Sequence, residues 1–264
     1  MHIYLIEKPY YRAVNTELVY PWETGLCDAT ATGVAAAHPT EAQLRDFGLD
    51  TPRSVAAIAF AVFPAAGSDD APYNRVTYTV SLGGTNDAGD YYALVDGVDI
   101  VYTVAASAVP WAEATYGDVA SSTLFLHYIT EVSDLAFTVG GTESTVHLTH
   151  SGGETSDAEA TFTAALGDQT LSEADTRTLY RLMMMTKRVA ATEAVTAPTG
   201  APALILRLSF LDGSADDVYS FYPYSANRYL CVAADGDLFP VKAADVESLT
   251  AQIERYLAGE TVQA

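Results

Sequence analysis

Two stretches of the chain align with each other without a gap, and this self-similarity constrains the fold more than any single motif. Residues 91–109 read YYALVDGVDIVYTVAASAV, and residues 228–246 read RYLCVAADGDLFPVKAADV. The recurring positions are Tyr92, Val95, Val104, Ala106 and Val109, which correspond to Tyr229, Val232, Val241, Ala243 and Val246. Because an ungapped match across a hairpin implies one register, we expect the two stretches to form equivalent β-hairpins.

The match extends upstream into a larger unit. Each hairpin follows two β-type runs, at 54–63 and 75–82 in the first copy and at 203–210 and 217–223 in the second. The loops that join these runs to the hairpins differ in length. Strands connected by short turns form antiparallel sheets, so each copy predicts a four-stranded antiparallel sheet.

In each copy, one helix is predicted before the strands in sequence and another after them. The segment PTEAQLRDF (39–47) precedes the strands of the first copy, and SEADTRTLYRLMMMTKR (172–188) precedes those of the second, with Ser172 as its N-cap. The sequence therefore predicts an α+β protein with two tandem units of helix, four-stranded antiparallel sheet and helix, and an extra β-hairpin between them. We assign the first repeat to residues 1–118 and the second to residues 119–264.

Apolar spacing predicts further helices and one buried strand. Near the start, Leu18, Trp22 and Leu26 share helical spacing, although Pro21 removes a hydrogen bond inside that helix. The run VAAIAFAVF (55–63) is far shorter than the roughly 20 residues of a membrane-spanning helix, and it predicts a buried strand. After the second hairpin an apolar stripe predicts a helix, with the positions Val246, Leu249, Ile253 and Tyr256.

The charge of the chain argues against one class of partner. It has 34 acidic and 13 basic residues among 264, a formal net charge of -21. Such a charge repels phosphate backbones and anionic lipid headgroups, so we expect no nucleic-acid partner. The two cysteines, Cys27 and Cys231, lie far apart, and their spacing indicates neither a disulfide nor a metal site.

The segment FYPYSANRYLCVAADGDLFPV (221–241) places five aromatic residues around Arg228 and then reaches an Asp-Gly turn. Arg228 stands where the first copy has Tyr91, so it is not part of the shared scaffold. It is either a specialised binding residue or, as we favour, a partly exposed side chain that covers an aromatic neighbour. The candidate binding residues are Arg228, Tyr222, Tyr224, Tyr229, Tyr91 and Tyr92.

A search for reaction motifs finds none whose geometry would tie the sequence to a reaction. The pair His147 and His150 lies three apart in a β-type run, so the two rings point to opposite faces and suit a metal poorly. No nucleophile elbow, P-loop, dinucleotide fingerprint or HExxH motif occurs in the sequence. We therefore expect a protein that is not an enzyme and that holds no metal and no cofactor.

Acidic pairs in the turns leave a hydrolase as an alternative. Asp96 with Asp99, or Asp235 with Asp237, would have to act as acid and base, as in glycoside hydrolysis. They stand in tight turns, where Asp is expected for backbone reasons. The loops DGSADD (212–217) and NDAGD lack the regular alternation of oxygen ligands in calcium loops, so we expect solvated turns there too. The run Met183–Met185 lies on a predicted helix, which places at least one of its side chains in the core and one outside.

Three patterns, in this order, resemble domain of unknown function 4340, a bacterial family. They are LRDFGLDTP (44–52), GDYYALVDGVDIVYTV (89–104) and FYPYSANRYLCV (221–232), and the resemblance covers roughly residues 40–258. It implies a domain outside the cytoplasm, held by an N-terminal membrane segment, in some cases encoded beside ABC transporters of the gliding-motility type. The resemblance implies no catalytic residue for this chain, because none is assigned to the family.

These observations support three hypotheses on function. The first is a non-enzymatic extracytoplasmic accessory or scaffold domain, with protein partners in an envelope or transport assembly implied by the resemblance. The second is a module that binds cell-wall glycan or peptide on a tyrosine-rich sheet face, because the chain contains 17 tyrosines. The third is the carboxylate-dependent hydrolase. The oligomeric state is left open by the sequence.

The N-terminal segment of the first copy lacks two strands that the second copy has. HIYLIE stands where the second copy has EATFTAAL, and two strands that precede EATFTAAL have no counterpart in the first copy. A sheet that begins in this way exposes an unpaired edge. We therefore expect HIYLIE to be an edge strand or to pair with another molecule, and the full-length parent to carry an upstream hairpin and an apolar membrane segment.

Overall fold

A computed structural model of the chain describes residues 5–10, 12–62, 74–151, 161–189 and 195–263. The fold is α+β, with helices beside antiparallel sheets, as predicted. The chain divides into two compact units, one formed by Met1–Asn15 with Tyr116–Ala264 and the other by Thr16–Thr115. We call them the large unit and the small unit. The chain leaves the small unit close to the expected boundary between the repeats, whereas the first fifteen residues belong to the large unit.

The small unit contains a five-stranded antiparallel sheet with the strand order β3-β7-β6-β5-β4. Its helices and strands are α1 (Thr16–Asp28), β3 (Ala31–Ala37), α2 (Glu41–Asp46), β4 (Ser54–Val62), β5 (Asn74–Thr85), β6 (Tyr91–Val95) and β7 (Ile100–Val104), followed by 3₁₀ turns at Ala106–Ala108 and Pro110–Glu113. Its core is small and consists of Leu82, Tyr91, Ala93, Val104, Val109 and Ala112.

Local sequence explains both helices of the small unit. Helix α1 forms over the predicted stripe and keeps Pro21 inside it. Helix α2 begins after Thr40, whose hydroxyl accepts the backbone N–H of Gln43 while the Gln43 side chain accepts that of Thr40. It ends before Gly48, which has a φ of +69° that suits glycine.

A strand forms over most of the run at 55–63, as predicted, but the prediction that this strand is buried is wrong. Strand β4 is the last strand of its sheet, and it pairs along one edge with β5. From Ser54 to Ala59 its residues alternate between half-buried and exposed, and Val55 is exposed. Apolar runs occur in edge strands as well as in central strands, so hydrophobicity alone does not distinguish the two.

The large unit contains an eight-stranded antiparallel sheet with the order β11-β10-β9-β8-β12-β13-β14-β15, and a two-stranded sheet of β1 and β2. Its elements are β1 (Leu5–Ile6), β2 (Arg12–Ala13), α3 (Tyr116–Val119), a 3₁₀ turn at Ile129–Glu131, β8 (Val132–Val139), β9 (Thr142–Ser151), β10 (Thr161–Leu166), β11 (Gln169–Leu171), α4 (Glu173–Met185), β12 (Leu204–Phe210), β13 (Asp217–Ser225), β14 (Arg228–Ala233), β15 (Leu238–Lys242) and α5 (Ala243–Leu257).

Helices α4 and α5 contribute to the core that packs on one face of the large sheet. In β12 alternate residues are fully buried, namely Leu204, Leu206 and Leu208. The stripe predicted for α5 is buried as expected, at Val246, Leu249, Ile253 and Tyr256. Ser172 caps α4 by accepting the backbone N–H of Asp175, which confirms the predicted start of that helix. Met183 is buried and Met185 is exposed, as helical geometry requires.

Both predicted hairpins form, but they differ in register by one residue. In the small unit Tyr92 lies opposite Thr103, which would place Tyr229 opposite Pro240 if the ungapped match held. Instead Tyr229 lies opposite Val241. Both connections span four residues, at 96–99 and 234–237, so the difference lies in the pairing and not in the loop length. With Val104 and Val241 as equivalent positions, the residues opposite them are Tyr91 and Tyr229, and a one-residue slip moves every side chain of a strand to the other face. Tyr91, not Tyr92, is therefore the position equivalent to Tyr229.

The rest of the predicted repeat also differs between the units. Strands β4 to β7 and β12 to β15 share one order, but β3 adds beside β7, whereas β8 adds beside β12. The first hairpin is followed by 3₁₀ turns and the second by helix α5. The description as two tandem copies in one register is therefore not confirmed.

The N-terminal strand pairs within the chain. Leu5 lies opposite Ala13, and Ile6 lies opposite Arg12, in the two-stranded sheet of the large unit. The first three residues of HIYLIE lie outside the described residues. Among the residues that the structure does describe, no helix has both the length and the apolar character needed to cross a membrane.

Candidate functional site

The strongest candidate surface of the large unit is built around residues 124–129, which we call the strap. Leu124, Phe125 and Ile129 are buried, whereas Leu126 and Tyr128 are 52% and 58% exposed. The strap leads into the 3₁₀ turn at Ile129–Glu131 and so into β8. Isolated exposed apolar residues are common, but here two of them stand close together on a segment whose other side chains are anchored.

Two buried tyrosines hold the strap. The Tyr180 hydroxyl donates to the backbone carbonyl of His127 at 2.8 Å, and the Tyr219 hydroxyl donates to that of Leu124 at 3.0 Å. The ring of Phe125 lies against both, with centroids 5.4 Å and 6.0 Å away. Burial raises the pKa of Tyr219 well above its ordinary value of 10.0, so its hydroxyl stays protonated and remains a donor. The strap is therefore fixed to α4 and β13 at two points.

A cleft of about 460 Å³ opens beside the strap. The ring of His127 lies 4.4 Å from that of Phe210, centroid to centroid, and Leu211 is 56% exposed. The residues that line the cleft are His127, Thr130, Glu131, Phe210, Leu211, Asp212 and Ser214. A concave surface with apolar walls and a few convergent polar groups is the usual form of a binding site.

The imidazole of His127 lies between two carboxylates. Its Nε2 is 3.4 Å from Asp217, and its Nδ1 is 3.6 Å from Glu131. The interaction with Asp217 is the main cause that raises the pKa of His127 above 6.5, and Glu131 adds to it, while partial burial opposes both. The protonated imidazolium is therefore favoured in the folded protein.

Each carboxylate at the cleft is also oriented by a neighbouring donor. Glu131 accepts the backbone N–H of Tyr128 at 2.9 Å, and Asp212 accepts that of Ser214 at 2.9 Å. Asp217 lies 3.1 Å from the hydroxyl of Tyr219, whose single hydrogen it shares with the carbonyl of Leu124. The backbone hydrogen bond from Ser214 is the main cause that lowers the pKa of Asp212. The acceptor groups are therefore held in place without a ligand.

A second polar cluster in the large unit has a structural role. Asp237 is 2% exposed, binds Arg188 and lies 3.4 Å from the Nε of Arg12. The hydroxyl of Tyr116 donates to the same carboxylate at 2.5 Å. Asp235 is bound through both its oxygens by Arg12, at 2.8 Å and 2.9 Å. A buried charge needs such partners, so this cluster holds β2, α3 and the second hairpin together.

The site residues predicted on the second hairpin do not share one face. Tyr229 packs against the core, whereas Tyr222 alternates with the buried Phe221 and points to the opposite face of the sheet. Tyr224 is exposed, and Arg228 is half-buried opposite Lys242. Arg188 stacks over the rings of Tyr116 and Phe239.

The two predicted tyrosines of the small unit also diverge. Tyr91 is buried in the core and donates its hydroxyl to Glu113, which pairs with Arg53 at 2.5 Å. Tyr92 points to the other face, where its ring lies 4.4 Å from that of Phe47. Both rings therefore have partners within their own unit.

The two histidines of β9 and the two acidic loops form hydrogen bonds with nearby residues. On β9, His147 binds Asp134, and the Nε2 of His150 lies 2.7 Å from the carbonyl oxygen of Val132. In the loop DGSADD the Asp212 carboxylate forms a turn with Ser214, and in NDAGD the Asn86 side chain accepts two backbone N–H groups. Within the described ranges, no group of three His, Cys, Asp or Glu residues is placed to hold a metal ion.

The comparisons with known proteins give a family and no function. The model of the family described as domain of unknown function (DUF4340) matches residues 6–203. The first two patterns of the resemblance, at 44–52 and 89–104, lie inside this range, whereas the third, at 221–232, lies beyond it. No curated protein and no solved structure matches the chain. Because the matched range covers most of the chain, the protein belongs to the DUF4340 family.

Proposed function

We propose that this protein is a non-enzymatic accessory domain that docks a protein partner of an envelope or transport assembly on the strap and the cleft beside it. The observation that carries the proposal is the exposure of Leu126 and Tyr128 on a strap anchored by two buried hydroxyls. Large apolar side chains on a rigid segment bind a partner at a low cost in conformational entropy, which is the property of interface anchors.

The resemblance implies the setting of this interaction. It places the domain outside the cytoplasm, in a parent protein that is anchored in a membrane, and it associates some members with ABC-type transport. These features belong to the proposal. They agree with a domain that works by contact with other proteins.

The two alternative functions have less support in the geometry. A tyrosine-rich binding face needs its rings on one side of a sheet, but Tyr222 and Tyr229 point to opposite sides. A carboxylate hydrolase needs two carboxyl groups that face a substrate. The carboxylates of Asp235 and Asp237 are instead engaged in ion pairs with arginines of the same unit.

Co-purification of the full-length protein from its native cells tests the proposal. The Leu126→Ser/Tyr128→Ser double variant removes both exposed apolar groups, and Met185→Ser is the matched control because Met185 is 59% exposed on α4. We expect at least one protein of the envelope fraction to be retained by the wild type and by Met185→Ser and lost from the double variant. Equal retention by all three proteins would contradict a docking role for the strap.

A further inference from the structure

The charges of the cleft indicate what kind of segment it binds. The carboxylates of Glu131 and Asp212 line it, and Asp217 contacts its histidine. The lining residues include His127 as a basic group but neither lysine nor arginine. Walls of low dielectric concentrate the field of such groups, and the net charge of -21 adds to it.

The acceptors are preorganised for a cation. One oxygen each of Glu131 and Asp212 is engaged by a backbone N–H, which fixes the carboxylate and leaves further lone pairs. The exposed side chain of Leu211 and the ring of Phe210 provide apolar surface beside them. A lysine or arginine side chain has this same composition, an apolar stem that ends in a charged group.

We infer that the cleft binds a segment of a partner protein in which a lysine or arginine stands next to an apolar residue. This inference rests on the proposed docking function and specifies its ligand. The cationic group lies between Glu131 and Asp212, its stem lies along Phe210 and Leu211, and the neighbouring apolar residue contacts Leu126 or Tyr128.

His127 regulates the occupancy of the cleft. The groups that face it are Glu131 from the 3₁₀ turn, Asp217 from β13 and Asp212 from the loop that precedes β13. A protonated imidazole already neutralises part of this negative charge and repels an incoming cation. The segment therefore binds more tightly as pH rises through the pKa of His127.

Two synthetic peptides test the inference directly. The probes are the acetylated and amidated hexapeptide Ala-Leu-Arg-Leu-Arg-Ala and its counterpart with glutamate in place of both arginines. Each is titrated into the ¹⁵N-labelled protein, and the amide shifts are followed. We expect the arginine peptide to shift amides in 126–131 and 210–217 and the glutamate peptide to leave them unchanged. The affinity should fall with added salt, because partly exposed charges are screened.

Matched variants test whether the arginine peptide binds through the carboxylates of the cleft. Glu131→Gln/Asp212→Asn should weaken binding of the arginine peptide by about fivefold, the size expected for the loss of partly exposed charge pairs. Asp168→Asn removes an exposed carboxylate from the β10–β11 turn of the same unit and should change nothing. The same weakening in both variants would show a non-specific charge effect and would overturn the assignment to the cleft.

The remaining outcomes separate this inference from the proposed function. If both peptides shift the cleft amides equally, the cleft binds apolar segments without a cationic preference, and only the inference is wrong. If neither peptide shifts them but the double variant of the strap still loses its partner, the inference is again wrong and docking stands. If neither peptide binds and the strap variants retain every partner, both are wrong.

Discussion

The hydroxyl of Tyr219 donates to the carbonyl oxygen of Leu124 at 3.0 Å, across 95 residues of chain. This bond joins β13 of the large sheet to the strap, whose residues 124–128 have no regular secondary structure. Tyr180 makes the corresponding bond from α4. Leu126 and Tyr128 are thus held at the surface because Tyr219 and Tyr180 fix the backbone of the strap at Leu124 and His127.

Tyr219→Phe should destabilise the protein by about 1–3 kcal/mol, because the buried carbonyl of Leu124 loses its donor. Tyr224→Phe is the control, since Tyr224 is exposed, and it should change stability by less than about 0.5 kcal/mol. Denaturant unfolding measures both. Faster hydrogen exchange of amides 124–129 in Tyr219→Phe would show that the strap itself loosens. An equal, small effect in the two variants would contradict the role of this bond.

Asp237→Asn should cost about 3–5 kcal/mol of stability, because it leaves the buried Arg188 without its carboxylate. Asp235→Asn removes a more exposed carboxylate and should cost less, within about 1 kcal/mol. Thermal unfolding of the two variants gives the comparison. The reverse order of stability would show that the cluster is organised around Asp235.

Gly83→Ala should destabilise the small unit by about 1–3 kcal/mol or more, because overpacking forces the backbone to shift. A Cβ at Gly83 would lie 2.1 Å from the carbonyl oxygen of Phe47, whereas one at the adjacent Gly84 would lie at an ordinary 3.7 Å. Gly84→Ala is therefore the matched control and should be nearly neutral. Similar unfolding midpoints for the two variants would contradict the close approach of α2 and β5.

The stability of the protein should depend on pH through His127. Its folded pKa is raised above 6.5, so the protonated ring stabilises the fold at pH values below 6.5, and this contribution is lost as pH rises through the folded pKa. The group is partly exposed, so the change should stay below about 1 kcal/mol. The difference in unfolding free energy between the wild type and His127→Gln, measured from pH 5 to 9, should decrease across that range. A difference that grows with pH would contradict the assigned partners.

Local patterns predicted most of the helices and strands because their causes lie within a few residues. Ser172 caps α4, and the stripe from Val246 to Tyr256 on α5 is buried, both as spacing indicates. The hairpin register was not predictable from the ungapped match, because the two hairpins pair their strands one residue apart although their connections have equal length. The one visible signal was that the Asp-Gly dipeptides of the two connections do not align.

The candidate site was less accessible to sequence analysis. His127 occurs in no motif, and its partners come from residues that are distant in sequence, such as Asp217. Asp237 looked like a turn residue because nothing local shows that Arg12 and Arg188 converge on it. Sites assembled from distant segments depend on tertiary packing, so the periodicity and spacing of residues along the sequence do not predict them.

Site-specific photo-crosslinking in native cells tests the docking role of the strap most directly. A photoreactive amino acid is placed in the full-length protein at Tyr128, or at the equally exposed Met185 as the control. We expect Tyr128 to yield a discrete crosslinked protein of the envelope or transport assembly, and Met185 to yield none of it. Identical product patterns from both positions, or no product from Tyr128, would contradict the docking surface.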